Sequence, residues 1–134
     1  MGKSFEDLKI ARSLLKALDE LGYPGPTPVQ EQAIPVINSG VNLVGIAQTG
    51  TGKTAAYLLP ILTRLGKAEG REPRCIVLVP TRELSVQAGE DIAVLTTCSD
   101  LRHASVFGGV GWTRHAALLE PGVDVLVATP GRLW

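Results

Sequence analysis

The segment Leu43-Val44-Gly45-Ile46-Ala47-Gln48-Thr49-Gly50-Thr51-Gly52-Lys53-Thr54 runs from apolar residues through small ones to a lysine and a threonine. Phosphate oxygens need several backbone N–H donors pointing inward, and a backbone wraps that closely only where side chains are small or absent. Gly50 and Gly52 supply that freedom. A helix opening at Lys53 would add unpaired N–H groups and the favourable end of its dipole. Lys53 can then reach the β- and γ-phosphates of a nucleotide, and the Thr54 hydroxyl can ligate Mg²⁺. Against the general pattern G-x-x-x-x-G-K-[ST] there is one departure, Ala47 in place of the first glycine.

Such a loop works only if a strand feeds it and a helix leaves it. The apolar runs Leu43 to Ile46, Ile76 to Val79, His103 to Phe107 and Val123 to Ala128 predict strands, and their continuous hydrophobicity predicts cover on both faces. Between them, Lys53 to Leu65, Arg82 to Leu95 and Gly111 to Leu119 are long enough for crossover helices. Repeated strand, helix, strand implies right-handed crossovers and a parallel sheet, hence an α/β domain. Pro60 falls inside the first crossover helix and has no local explanation. Upstream, Ile10, Leu14, Leu15, Leu18 and Leu21 recur at helical spacing, with Gly22 as a stop. After the irregular stretch Tyr23 to Pro28, Thr27 can cap a second helix running to about Ser39, with Pro28 at its first position. Gly66 to Pro73 reads as a solvated loop.

The chain has 134 residues and fits one domain. Thirteen Lys+Arg balance thirteen Asp+Glu, so no overall basic field recruits nucleic acid and any such binding must come from placed residues. Cys75 and Cys98 lack metal-ligand spacing and read as reduced core residues, which favours a cytoplasmic, soluble protein. No apolar run reaches the roughly 20 residues of a membrane span. His103 and His115 have no acid or cysteine at ligand spacing, and Trp112 and Trp134 read as core or edge residues.

Taken with its flanks, the segment Ala47 to Thr54 resembles the phosphate loop of the DEAD-box RNA helicases. Gly22-Tyr23-Pro24-Gly25-Pro26-Thr27-Pro28-Val29-Gln30 is similar to that family's adenine-reading Q motif, and Phe5 stands upstream at the family's offset. The resemblance implies an ATP site made by Phe5, Tyr23, Thr27, Gln30, Gln48, Thr49, Gly50, Thr51, Gly52, Lys53, Thr54 and Ala55, with Lys53 and Thr54 in the catalytic machinery and Thr54 on Mg²⁺. A glutamine amide carries one donor group and one acceptor, which matches the N6 and N7 edge of adenine. Phe5 would stack on the base.

Three further segments lie just past predicted parallel strands, where open α/β sheets place their ligands. Pro80-Thr81-Arg82-Glu83-Leu84-Ser85-Val86-Gln87 resembles the family's motif Ia, Gly108-Gly109 its GG element, and Thr129-Pro130-Gly131-Arg132 its motif Ib. The resemblance implies Pro80, Thr81, Arg82, Gly109, Thr129, Gly131 and Arg132 as contacts to an RNA backbone. Hydroxyls, glycine N–H groups and guanidinium forks bind phosphate without reading bases.

The resemblance implies a RecA-like, P-loop NTPase fold of three layers with a partial parallel sheet, divided into a Q-motif region (1–39) and an incomplete α/β core (40–134). No Asp-Glu-Ala-Asp sequence occurs in the chain, and Asp124 and Glu120, flanking a glycine turn, read as solvent-facing rather than as substitutes. The expectation is a first lobe whose parent, with a second RecA-like lobe, is an ATP-dependent RNA helicase. By itself the chain would bind nucleotide weakly and scarcely hydrolyse it. Two other readings stay open at this point: an ATP-gated RNA clamp, and a different P-loop protein such as a small-molecule kinase or DNA helicase.

Overall fold

A computed structural model describes residues 4–46, 53–107, 116–117 and 119–133, with backbone alone for 132 and 133. The chain divides into two compact units, Met1–Gly66 with Leu95–Ser99, and Lys67–Val94 with Asp100–Trp134.

The first unit is helical. A 3₁₀ turn at Glu6–Leu8 leads into α1 (Arg12–Glu20), α2 (Pro28–Asn38) and α3 (Lys53–Leu65). In α1, Leu14, Ala17 and Leu18 are buried, the i, i+3, i+4 stripe expected of a helix with one apolar face. The helix ends as Gly22 anticipates. Gly22 takes φ +78°, its N–H donates to the Asp19 carbonyl, and the Tyr23 N–H donates to Leu18, the paired bonds that satisfy a helix's last carbonyls.

Thr27 caps α2 as its position predicts. Its hydroxyl accepts from the Gln30 N–H while the Gln30 amide oxygen accepts from the Thr27 N–H, and Pro28 occupies the first turn, where its missing N–H costs nothing. α2 packs on α3. The Ala11 N–H donates to Thr63 Oγ1 at 3.1 Å and Asn38 Nδ2 donates to the Leu8 carbonyl at 3.0 Å, tying the turns to the helices. α3 has the bounds read from the sequence and continues through Pro60, which is buried and cannot donate to the Ala56 carbonyl.

The second unit carries a three-stranded parallel sheet, ordered β1 (Cys75–Leu78), β3 (Val125–Ala128), β2 (His103–Val106). The α/β expectation therefore stands, with β3 in the centre. α4 (Arg82–Leu95) again matches its predicted bounds, and a short α5 (Pro130–Leu133) follows β3. Ser85, Ala88 and Ile92 form the buried side of α4. Small residues let α4 approach β2: a Cβ on Gly89 would lie 2.7 Å from Ser105 Oγ, and that hydroxyl donates to the Ser85 carbonyl at 3.3 Å.

Three expectations need correction. Residues 43–46 form no strand: Val44 is 88% and Ile46 95% exposed, and no described strand pairs with them. An apolar run becomes a strand only when a neighbour takes up its N–H and C=O groups, and hydrophobicity alone supplies none. Cover on both faces holds for β3, buried at all four positions, whereas Ile76 and Leu78 of β1 stand exposed and β2 alternates. Edge strands have one neighbour fewer.

The third correction is Asp124, which is fully buried. Burial by itself would push its carboxyl pKa up, but hydrogen bonds from the Arg102 guanidinium and N–H, from Arg74 and from the Glu69 N–H outweigh it. The result holds Asp124 well below the usual carboxylate range. Glu120, by contrast, is exposed as expected.

The predicted crossover helix 111–119 falls mostly outside the described residues, as do His115, Trp112 and Trp134. Cys75 and Cys98 are free thiols and half-buried; burial raises the pKa of Cys75. His103 opens β2, and burial lowers its pKa. Among the described residues no helix is long and apolar enough to cross a membrane.

Candidate nucleotide and nucleic-acid sites

Lys53 is the first residue of α3 and is exposed; Thr54 and Ala55 follow it, half-buried. Among the described residues no acid lies within ion-pair distance of Lys53. Lys53 thus stands at the start of a helix, where unpaired N–H groups and the dipole favour negative charge. Ala47, Gln48, Thr49, Gly50, Thr51 and Gly52 lie outside the described residues.

The Q-motif candidates are placed by α1 and α2. Tyr23, set by the bond that ends α1, is 47% exposed. Gln30 is buried in the first turn of α2, and its amide oxygen accepts from the Thr27 N–H at 2.9 Å. An amide oxygen has two lone pairs, so this bond by itself does not exhaust its capacity. Phe5 precedes the 3₁₀ turn and is buried. Sequence spacing groups these residues for adenine; the fold adds that Thr27 and Gln30 first serve the helix they start.

The second unit brings together what the sequence spread over fifty residues. Because β1, β3 and β2 are parallel, their carboxyl ends share one edge of the sheet. Past that edge the ladder persists: the Val79 N–H donates to Ala128 at 3.0 Å and the Thr129 N–H to Val106 at 3.2 Å. Pro80, Thr81 and Arg82 thus leave β1, Phe107 leaves β2, and Thr129, Pro130 and Gly131 leave the central β3 on the same side.

Thr81 caps α4, its Oγ1 accepting from the Leu84 N–H at 3.2 Å and its carbonyl from the Ser85 N–H at 3.0 Å. Thr129 is buried beside the sheet end; Gly131 is exposed, and among the described residues nothing lies within 4 Å of where a Cβ on it would stand. Arg132 belongs to α5, and Gly108 and Gly109 lie outside the described residues.

Arg82 is exposed, and no ion pair involves it among the described residues. Its guanidinium carbon stands 4.9 Å from the centroid of the Phe107 ring. In the sequence Phe107 stands out only as the end of an apolar run. The available signal was an aromatic placed directly before Gly108-Gly109, at the end of a parallel strand.

At the opposite end of the sheet, Asp124 occupies the position before β3. Its Oδ2 accepts the Arg102 N–H at 2.9 Å, its Oδ1 accepts Arg74 at 3.0 Å and Arg102 at 3.1 Å, and the Glu69 N–H reaches Oδ1 at 3.2 Å. Arg74 and Arg102 directly precede β1 and β2, so one buried carboxylate fastens the starts of all three strands. Among the described residues no group of three or more His, Cys, Asp or Glu could hold a metal ion.

A profile of the DEAD/DEAH box helicases matches residues 27–134. The chain is 41% identical over 133 residues to the ATP-dependent RNA helicase RhlB of Pasteurella multocida, covering 96% of this chain and 31% of that protein. It is 43% identical over 132 residues to the ATP-dependent rRNA helicase RRP3 of Yarrowia lipolytica, covering 98% of this chain and 27% of that one. With the probable ATP-dependent RNA helicase DDX46 of Homo sapiens the identity is 41% over 135 residues, 98% of this chain and 13% of the relative. The chain therefore spans less than a third of the length of these relatives.

Proposed function

The chain belongs to the DEAD/DEAH box helicase family, and from that premise we propose that it forms part of the first lobe of an ATP-dependent RNA helicase. It would bind ATP through Gln30 and the residues around Lys53, and hold an RNA strand by its backbone. The observation that supports this reading is that Pro80–Arg82 and Thr129–Gly131, which the resemblance assigns to RNA, leave neighbouring parallel strands at one edge of the sheet, with Phe107 leaving β2 at the same edge.

The described residues fit a nucleotide. Lys53, exposed at a helix start with no described acid to neutralise it, suits a triphosphate, and the adjacent Thr54 hydroxyl suits Mg²⁺. By the resemblance Gln30 would read adenine and Phe5 would stack on it, with Tyr23 and Thr27 in the same site; Gln30 and Phe5 are buried here, so contact with the base requires that they be uncovered. ATP would supply phosphoryl transfer to water as the energy source that opens and closes the motor. Lys53 would neutralise phosphate charge, and the N–H groups at the start of α3 would orient the tail. Asp124 takes no part: its carboxylate is spent on two arginines. A second RecA-like lobe would complete the RNA groove.

At the sheet edge, Thr81, Arg82 and Thr129, with Gly109 and Arg132, would contact phosphates and sugars without reading bases. RNA of mixed sequence should thus bind about equally well. Titration of a fluorescent single-stranded RNA at rising salt tests this. If about three phosphates are neutralised, log K falls against log salt with a slope near −2, since single strands give about −0.7 per contact. An affinity indifferent to salt contradicts the reading.

A further inference from the structure

We infer that Phe107 is a positioning residue for Arg82, holding its guanidinium ready for an RNA phosphate; the inference rests on the RNA reading above. Arg82 opens α4, where a positive side chain opposes the helix dipole and gains nothing from the first turn's N–H groups. Among the described residues it has no ion pair and no hydrogen bond from its guanidinium. An exposed arginine so placed would ordinarily sample many rotamers, and binding a phosphate would then cost the entropy of fixing one.

The Phe107 ring supplies what the helix does not. With the guanidinium carbon 4.9 Å from its centroid, the ring attracts the cation through its quadrupole. That attraction uses the π-face, whereas phosphate recognition uses in-plane N–H donors, so one does not exclude the other. The ring itself is held: Phe107 directly follows β2, is half-buried, and leaves the sheet at the edge where Thr81 and Thr129 emerge. Preorganisation of this kind raises affinity without adding a contact to the ligand.

The test measures binding of a fluorescent single-stranded RNA to the 134-residue chain and its variants, alongside proton chemical shifts of Arg82 without RNA. Aromatic ring current should move the Arg82 δ protons upfield in the unsubstituted chain, and Phe107→Leu should abolish that shift. Phe107→Leu should weaken RNA binding about two- to fivefold, the effect of an exposed cation–π pair, while Phe107→Tyr should restore it. In an Arg82→Ala background, Phe107→Leu should change nothing further.

Absence of the upfield shift in the unsubstituted chain overturns the inference without any variant. It is equally overturned if Phe107→Leu leaves affinity unchanged while Arg82→Ala lowers it, or if Phe107→Leu costs as much without Arg82 as with it. If Arg82→Ala binds RNA as well as the unsubstituted chain does, it is the RNA reading at this edge that fails, and the positioning role falls with it.

Discussion

Asp124 Oδ2 accepts both the backbone N–H of Arg102, at 2.9 Å, and its Nε–H, at 3.1 Å, so one residue satisfies the other through main chain and side chain together. Arg74 completes the neutralisation from the other side, at 3.0 Å. The three residues each stand immediately before a strand, and their mutual bonds set the register from which the opposite edge of the sheet is built.

Replacing this carboxylate should therefore cost stability first. Asp124→Asn should lower urea-unfolding stability by about 2–3 kcal/mol, the cost of losing charged hydrogen bonds while two arginines retain partial access to water. A loss below about 0.5 kcal/mol would mean that the cluster is ornamental to the fold.

The same bonds make a pH prediction. The folded-state pKa of Asp124 lies below its unfolded value of about 3.9, so its contribution is fully present above that pH and is lost as acid protonates the folded carboxyl. Stability should fall below about pH 4, and Asp124→Asn should flatten that part of the curve. Parallel acid limbs in the two proteins would contradict the assignment.

Ser85 is buried in α4, and its hydroxyl has no hydrogen-bond partner among the described residues. A buried donor left unpaired is costly, and alanine is also the better helix former. Ser85→Ala should leave stability unchanged or raise it by up to about 1 kcal/mol in a chemical-denaturation experiment. A clear loss would reveal a partner for the hydroxyl.

Gln30 has a double role, which makes its replacement informative. Gln30→Ala removes one arm of the capping box and should cost about 0.5–2 kcal/mol of stability. It should also reduce the preference for ATP over GTP by about 1–3 kcal/mol in competitive titration, the worth of a bidentate base contact. A folded variant that still rejects GTP would assign adenine reading elsewhere.

Local chemistry made much of this architecture legible. Thr27-Pro28 with Gln30 three residues on, Gly22 after an apolar stripe, and the long amphipathic runs 53–65 and 82–95 specify caps and helices without reference to anything distant. Parallel strands followed by glycines and hydroxyls likewise located the sheet edge. The misreadings concern partners that sequence spacing does not reveal. Residues 43–46 are apolar enough for a strand, but a strand also needs a neighbour's hydrogen bonds. Asp124 looked like a turn acid beside Gly122 because Arg74 and Arg102, each preceding another strand, become its neighbours only through the parallel register. Phe107 and Arg82 meet for the same reason.

Lys53 offers the most direct test that this chain binds ATP at the start of α3. Calorimetric titration should show Lys53→Ala weakening ATP binding by about 1.5–3 kcal/mol, roughly ten- to a hundredfold, as loss of a hydrogen bond to a charged group requires. The substitution should leave the unfolding curve close to that of the unsubstituted chain, because Lys53 is exposed and pairs with no described acid. An unchanged affinity for ATP would contradict the account.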